Sequence, residues 1–380
     1  MTTEFRALTP GRWAMAVFCL LSLFLLCGEL RVSAQHYQQT NLVSDVPGLA
    51  QFTDPDLVNP WGLDASATGP WWTANNGTGT STLYNGAGVK QTLVVTVTAP
   101  AGIAVSGPTG IVFNASSDFK LTAAANSVAR FIFVTTEGTI SGWAPAIAPT
   151  STVIKFASTT GAVYLGATIA QSNGQNLLYV ADFSHGTVDV FDTNYAPVTL
   201  GAGAFTDPEL PEGFSPFNVQ NINGNIYVAF AKVDPVEHEE EAGRKLGYVD
   251  VFDPSGTLLR RIENGPWMNA PWGLALAPST GFGKASGKLL VGMFGSGQIA
   301  TFDPATGDFT GLLRDRHGKP IEIEGLWALR FGNGATAGPT TTLYFTAGIQ
   351  DETHGLFGTI TPIPKQGNGP NGNEVNDKSK

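Results

Sequence analysis

The chain has 380 residues, of which 14% are charged, and its formal net charge at pH 7 is −10. This acidic balance argues against nucleic acid and anionic membrane surfaces as partners, because both carry negative charge. Glycine contributes 46 residues, and so many glycines with few charged residues are typical of a large all-β protein with many tight turns.

The first 34 residues have the pattern of a secretory signal peptide. Arg6 and Arg12 flank the start of an apolar run over 13–27, and a small-residue cleavage site ends at Ala34. A membrane anchor is the alternative, but the run is shorter than the ~20 apolar residues that a spanning helix needs. We therefore expect an exported protein, extracellular or periplasmic, whose mature chain contains no integral membrane span.

Both cysteines, Cys19 and Cys27, lie in this predicted signal segment. The mature chain is then expected to contain neither a disulfide nor a thiolate metal site. Its stability must come from the apolar core.

One short pattern recurs six times, with a small residue or asparagine between mostly apolar neighbours. Successive copies lie roughly fifty residues apart, a period that indicates a solenoid, propeller or array. The six middle positions are Gly62, Gly110, Gly166, Asn218, Gly273 and Ala328. Because each repeat contains four strand-like runs, the pattern predicts an all-β, six-bladed β-propeller over residues 35–364.

The fourth and fifth repeats show the four runs most clearly. The predicted strands are 217–219, 225–230, 248–252 and 258–262 in the fourth repeat, and 272–277, 288–293, 298–302 and 309–313 in the fifth. An aspartate directly follows the third strand in the third, fourth and fifth repeats: Asp192, Asp253 and Asp303. We expect these aspartates to cap tight turns rather than to act in catalysis.

The sixth repeat provides only three predicted strands, over 326–331, 343–346 and 356–360. Residues 38–43 form a spare strand at the other end of the propeller. We expect this N-terminal strand to pair with the last blade and close the ring, which removes an exposed sheet edge. Residues 365–380 contain no apolar period and are predicted to be a disordered C-terminal tail.

Several of these segments resemble known proteins. The strand starts, the Leu-Tyr-Val-Ala run at 178–181 and the Val-Asp-Val-Phe-Asp runs resemble NHL-type six-bladed propellers, which share the TolB-like fold. The runs at 41–45, 59–63 and 73–77 together are similar to an uncharacterised family of exported bacterial propellers. The resemblance implies the fold and export, and it implies no activity.

In propellers, the loops between strands d and a and between strands b and c share one face, which we call the loop-rich face. Exposed loops on a rigid frame are the usual place for binding. The side chains predicted to bind a ligand there are Asn75, Asn76, Trp61, Trp272, Trp327, His185 and His354.

The loop between strands b and c of the fourth repeat, residues 232–247, is unusually long and acidic. It contains Asp234, Glu237, His238 and three glutamates at 239–241. Long loops in compact domains are often functional, so two interpretations stay open: a solvated loop, or one that contacts a cation or partner.

Two functions follow from different classes. The first is a monomeric, exported propeller that binds a small molecule or protein on the loop-rich face without catalysis. The second is a divalent-metal-dependent hydrolase of the gluconolactonase-like propeller type, in which Asp182, Asn218 and Glu324 hold Ca²⁺ or another divalent cation. The sequence leaves open whether the protein is an enzyme.

Overall fold

The computed structural model describes residues 36–364, which form a six-bladed β-propeller, as predicted. The predicted signal peptide at 1–34 and the predicted tail at 365–380 lie outside the described residues. No helix in the described range is long and apolar enough to cross a membrane.

In blades 1 to 5 the sheet is antiparallel and its strands follow the chain from strand a, at the centre, towards the rim. Blade 1 contains β3 (Pro60–Ala65), β4 (Trp71–Asn75), β5 (Thr80–Tyr84) and β6 (Lys90–Thr96). Blade 2 contains β7 (Pro108–Phe113), β8 (Phe131–Thr135), β9 (Thr139–Trp143) and β10 (Val153–Ala157). Blade 3 contains β11 (Tyr164–Ser172), β12 (Gln175–Asp182) and β13 (Thr187–Phe191).

The second half of the ring follows the same plan. Blade 4 contains β14 (Phe214–Ile222), β15 (Asn225–Val233), β17 (Gly247–Phe252) and β18 (Leu258–Arg261), with the short β16 (Glu240–Glu241) beside β15. Blade 5 contains β19 (Pro271–Leu276), β20 (Leu289–Met293), β21 (Ile299–Phe302) and β22 (Phe309–Leu312), with a 3₁₀ turn at Gly283–Ala285. Blade 6 contains β23 (Leu326–Phe331), β24 (Leu343–Ile349), β25 (His354–Pro362), β1 (Tyr37–Ser44) and β2 (Phe52–Thr53).

The N-terminal strand closes the ring, as the sequence predicts. β1 pairs antiparallel with β25, from Tyr37 opposite Pro362 to Ser44 opposite Leu356. β2 then adds to β1 in parallel. Blade 6 is therefore built from both ends of the described chain, and β1 covers the edge of β25.

Blade 3 departs from the prediction of four strands in every repeat. After β13 only an isolated bridge forms, between Phe191 and Pro197, and the backbone N–H of Val198 donates to the carbonyl oxygen of Val190 at 2.7 Å. Proline has no N–H to donate to a ladder, so the fourth strand does not continue there.

The repeated glycines let neighbouring innermost strands approach closely. A Cβ atom on Gly62 would lie 2.5 Å from the carbonyl oxygen of Thr109, and one on Gly110 would lie 2.7 Å from the backbone nitrogen of Ala167. These atoms belong to the backbone of the next blade and have little room to move. The glycines therefore set the width of the central channel.

The aspartates that end the third strands cap turns, as predicted. In each, Oδ1 accepts the backbone N–H of the residue two positions later, at 2.8 Å for Asp192 and Asp253 and 2.9 Å for Asp303. These side chains stabilise the c–d hairpins on the face opposite the loop-rich face.

Apolar side chains fill the spaces between neighbouring blades. Ile132 of blade 2 and Leu178 of blade 3 belong to one such cluster, and Val251 of blade 4 and Val291 of blade 5 belong to another. All four side chains are fully buried. Burial of an aliphatic side chain contributes ~1.5–3 kcal/mol to stability, so these clusters hold the ring together.

Candidate functional site

Aromatic side chains from the beginnings of the innermost strands close one end of the channel. We call this group, formed by Trp61, Phe217, Trp272 and Trp327, the aromatic plug. Trp61 and Trp327 are stacked with ring centroids 3.5 Å apart, while Trp61 and Trp272 meet edge to face at 6.3 Å. The exposed fractions of Trp61, Trp272 and Trp327 are 7%, 4% and 0%. The structure thus brings the three predicted tryptophans together, as a buried floor beneath the loops rather than as an open surface.

Beneath the plug the channel is almost filled. Its cavity measures about 10 Å³ and lies between residues such as Gly62, Gly110 and Ala328. That volume holds about one water molecule. A ligand on the loop-rich face must therefore be bound above the plug.

A depression of about 560 Å³ opens on the loop-rich face above blades 5 and 6. We call it the acidic depression. The lining side chains with polar or aromatic groups are Phe294, Ser296, Glu322, Glu324, Asp351 and Glu352. The lining contains no lysine, arginine or histidine, so its electrostatic potential is negative.

Two of its carboxylates are held by hydrogen bonds. Oε1 of Glu324 accepts the backbone N–H of Gln350 at 2.9 Å. Oε2 of Glu352 accepts Nδ2 of Asn59 at 2.7 Å, and Oδ1 of Asn59 accepts the indole N–H of Trp327 at 3.0 Å. The rim of the depression is thereby tied to the aromatic plug.

The loop that carries Glu352 has an unusual backbone. Gln350, Asp351 and Glu352 have φ values of 55°, 52° and 61°, which place three successive non-glycine residues in the left-handed region. This conformation is costly for such residues and is found where the surrounding structure enforces it, often at functional sites. Burial raises the pKa of Glu352, and the nearby Glu239 adds to that effect.

The wall of the depression contains one polar group without a partner. Oγ of Ser296 is buried and, among the described residues, makes no hydrogen bond. Ser296 follows Phe294, whose ring is stacked on Trp327 with centroids 4.1 Å apart. The unpaired hydroxyl group is therefore enclosed in the wall rather than exposed on its surface.

The long loop of blade 4 forms another side of the depression. Ala242 lies in its wall, and β16 pairs with β15 so that Glu241 is opposite Lys232. Burial raises the pKa of Glu240 to about 8, and the negative charges of Glu352 and Glu239 contribute. The loop is thus acidic and exposed, yet it is folded as a hairpin extension rather than left as irregular chain.

Of the other predicted ligand-binding residues, Asn75 is buried inside blade 1. Its Nδ2 donates to Oγ1 of Thr82 at 2.9 Å, and its Oδ1 accepts the hydroxyl of Thr73 at 2.8 Å. Its neighbour Asn76 is half-buried in the b–c loop. Asn75 therefore supports the strand ends, while the role predicted for Asn76 stays a prediction.

The two predicted histidines each pair with a carboxylate. Nδ1 of His185 lies 2.7 Å from Oδ2 of the buried Asp182, and this partner raises the pKa of His185. Nδ1 of His354 lies 2.6 Å from Oδ2 of Asp45. The histidines stand on blades 3 and 6, and ligand binding by them stays a prediction.

The three residues predicted to hold a cation belong to separate hydrogen-bond networks. Asp182 pairs with His185, and Glu324 accepts from the backbone of Gln350. Asn218 lies in β14, where its Nδ2 donates to the carbonyl oxygen of Trp272 at 2.7 Å. Within residues 36–364 no group of three histidine, cysteine, aspartate or glutamate side chains is arranged to hold a metal ion. Binding of Ca²⁺ by Asp182, Asn218 and Glu324 remains an untested prediction.

Two acidic d–a loops on this face have a structural role. Asp54 is buried and pairs with Lys90 at 2.7 Å. In the equivalent loop of blade 4, Asp207 pairs with Arg261, which also contacts Asp250 at 3.2 Å. Burial raises the pKa of Asp250 to about 7, although Arg261 opposes the shift. These ion pairs fasten each loop to the outer strand of its blade.

Comparisons with known proteins identify relatives and the fold. No protein-family model matches the chain. "Uncharacterized protein R648" of Acanthamoeba polyphaga mimivirus is 33% identical over 84% of this chain and 78% of its own length. "Uncharacterized protein L690" of the same virus is 32% identical over 84% of each chain.

Two solved structures share the fold. A streptogramin B lyase aligns with a TM-score of 0.51 and 9% identity over 87% of this chain and 98% of its own. Virginiamycin B lyase from Staphylococcus aureus aligns with a TM-score of 0.50 and 13% identity, over 87% and 100%. At these identities the likeness concerns the fold alone.

The relatives are viral, and neither the predicted bacterial family nor the NHL type of the repeats is confirmed by them. The sequence identity to both viral proteins, and the share of each chain that is aligned, are high enough to show a common family. The chain belongs to the family of uncharacterised proteins that includes R648 and L690 of Acanthamoeba polyphaga mimivirus.

Proposed function

We propose that this protein is a binding module that holds a positively charged small molecule with an apolar part in the acidic depression. The observation that carries the proposal is the lining itself. Glu322, Glu324, Asp351 and Glu352 surround the space beside Phe294 without a basic side chain among them. Such a lining attracts cations and excludes anions.

The proposed roles follow from the contacts of each group. Glu352 is fixed through Asn59 to Trp327, so its carboxylate is already positioned to accept hydrogen bonds from an ammonium group. Phe294 offers an aromatic surface for the apolar part or for a cation–π contact.

Export remains part of the proposal, because the pattern of residues 1–34 is typical of a secretory signal peptide. The proposal includes no reaction step. The protein would act as a monomer that captures its ligand outside the compartment where it is made.

Calorimetry with a model cation tests the proposal. Tryptamine is the probe, and tryptophol, in which a hydroxyl replaces the ammonium group, is the neutral control. We expect tryptamine to bind at one site and tryptophol to bind at least tenfold more weakly, because the charged hydrogen bonds are lost. Equal affinity for the two compounds, or no binding of tryptamine, would contradict the proposal.

Variants locate the binding. Glu324→Gln and Glu352→Gln should each weaken tryptamine binding by about tenfold, since each removes one charged acceptor. Glu209→Gln, an exposed change on the same face but outside the depression, is the matched control and should have no effect. Calcium chloride titrated into the same variants tests the predicted cation site: binding that is lost in Glu324→Gln would support the hydrolase alternative.

A further inference from the structure

A second cavity lies at the end of the channel away from the aromatic plug. It measures about 300 Å³ and is bordered by the ends of three innermost strands, β14, β19 and β23. Arg330 lines both this cavity and the narrow channel. We call it the Arg330 cavity. The side chain of Arg330 is only 22% exposed, so its positive charge is held largely out of water.

The guanidinium group of Arg330 has few partners. Its Nε donates to the carbonyl oxygen of Leu63 at 3.2 Å. The carboxylate of Asp64 is 4.0 Å from Nε and already accepts the backbone N–H groups of Ala65 and Phe113, at 2.9 and 2.8 Å. Within the described part of the chain, Nη1 and Nη2 of Arg330 donate no hydrogen bond. Neither Nη atom is fully buried, so both can donate to a ligand or to water.

The surroundings indicate what kind of group that is. No acidic side chain lines the Arg330 cavity, and its walls combine the half-buried Leu276 and Phe331 with the amides of Gln220 and Asn221. Burial lowers the pKa of Arg330, which fits a guanidinium poorly solvated by water. The two Nη atoms form a planar fork that matches the two oxygens of a carboxylate.

We propose that the Arg330 cavity binds a small organic carboxylate. The carboxylate pairs with Nη1 and Nη2 of Arg330, and its apolar part packs against Leu276 and Phe331. The channel cavity above measures only about 10 Å³, so the body of the ligand stays in the Arg330 cavity. This site differs in charge and position from the acidic depression, and it does not depend on the proposed function.

Calorimetry with benzoate tests the inference, with benzamide as the uncharged control of the same shape. We expect benzoate to bind at one site and benzamide to bind at least tenfold more weakly, because only the carboxylate forms charged, paired hydrogen bonds with arginine. Failure of benzoate to bind, or equal affinity for the two compounds, would overturn the proposal.

Three variants locate the site. Arg330→Met keeps an apolar stem and should abolish benzoate binding, while Arg330→Lys keeps the charge without the fork and should weaken binding severalfold. Arg130→Gln, at an exposed arginine elsewhere, is the matched control and should bind as the wild type does. Undiminished binding by a folded Arg330→Met variant would contradict the assignment.

A fourth variant should act in the opposite direction. Asp64→Asn removes the negative charge near Arg330 and should tighten benzoate binding severalfold, since the competing carboxylate no longer repels the ligand. Circular dichroism and thermal melting confirm that each variant is folded. If Arg330→Met does not fold, Asp64→Asn and the comparison with benzamide decide: weaker or unchanged binding by Asp64→Asn would then overturn the proposal.

Discussion

At the scale of single residues, the repeated glycines show why the innermost strands can form so narrow a ring. A Cβ atom on Gly62 or Gly273 would lie only 2.5 Å from a backbone carbonyl oxygen of the next blade, that of Thr109 or Trp327 respectively. A side chain at either position must displace main chain rather than a flexible side chain. Such positions should be sensitive to the smallest substitution.

We therefore expect Gly62→Ala to lower the free energy of unfolding by ~1–3 kcal/mol, the usual cost of overpacking a well-packed site. Gly201→Ala is the control, because Gly201 has open space around its Cβ position and its φ is not in the left-handed region. Urea denaturation measures both. Equal stability of the two variants would show that the ring can widen without cost.

The raised pKa of Glu240 makes the stability of the protein depend on pH. Its pKa is raised by burial to about 8 in the folded protein, well above its ordinary value of 4.5. The folded state therefore retains a proton that the unfolded state loses, so the contribution of Glu240 to stability is greatest below about pH 4.5 and is lost as pH rises to about 8. Asp250, whose pKa is raised to about 7, acts in the same direction.

Thermal melting between pH 5 and pH 8 should show this decline. Glu240→Gln cannot ionise, so its melting temperature should fall less steeply over the same range. A wild-type melting temperature that is constant or that increases with pH would contradict the assignment, as would an identical slope in the variant.

The predicted site residues show how far the sequence alone determines the role of a side chain. The tryptophans at the starts of the innermost strands are recognisable from the repeat, but their mutual stacking depends on the spacing of the blades. Asn75 occurs in the expected loop register, yet the threonines on either side occupy its amide. Burial and competing partners of this kind arise only in the folded ring, so the sequence predicts where such residues lie better than what they do.

At the level of secondary-structure elements, most strands can be predicted from the sequence. The predicted strand 326–331 coincides with β23, and the predicted strand 225–230 lies within β15. The absence of a fourth strand in blade 3 departs from the prediction. Only an isolated bridge forms at Pro197, because proline has no N–H to donate. The hairpin at β16 was not predicted either, since its charged sequence has no apolar period.

The N-terminal strand provides a test at this scale. Deleting residues 35–45 removes β1 and exposes the edge of β25, so we expect a loss of several kcal/mol of stability, ~3 or more. Thermal melting measures the effect, and a variant that lacks residues 365–380 is the control for a shortened chain. An unchanged melting temperature after the N-terminal deletion would show that β1 is not needed to close the ring.

Shortening the acidic loop of blade 4 tests separately whether the loop is needed for folding and whether it contributes to binding. Replacing residues 235–244 with a short Gly-Ser turn should leave the melting temperature within a few degrees, because loop length alone costs little. The same change removes Glu240 and Ala242 from beside the acidic depression, so tryptamine should bind severalfold more weakly. An unfolded product would show that the loop is structural, and unchanged binding would exclude it from the site.

At the scale of the whole molecule, closure of the ring determines where ligands can bind. The aromatic plug and the tight ring of innermost strands block passage along the axis, which leaves two separate cavities at the ends of the channel. One is lined by carboxylates and the other by Arg330. The number of blades and the way they close follow from the repeat, whereas this division of charge does not, because it arises from single residues on different blades.

A crystal structure of the protein with tryptamine would show whether the acidic depression binds an organic cation. We predict the ammonium nitrogen at hydrogen-bond distance, about 3 Å, from a carboxylate oxygen of Glu324 or Glu352, with the indole ring against Phe294. Tryptamine bound outside the space between blades 5 and 6, or an empty depression at saturating tryptamine, would contradict the account.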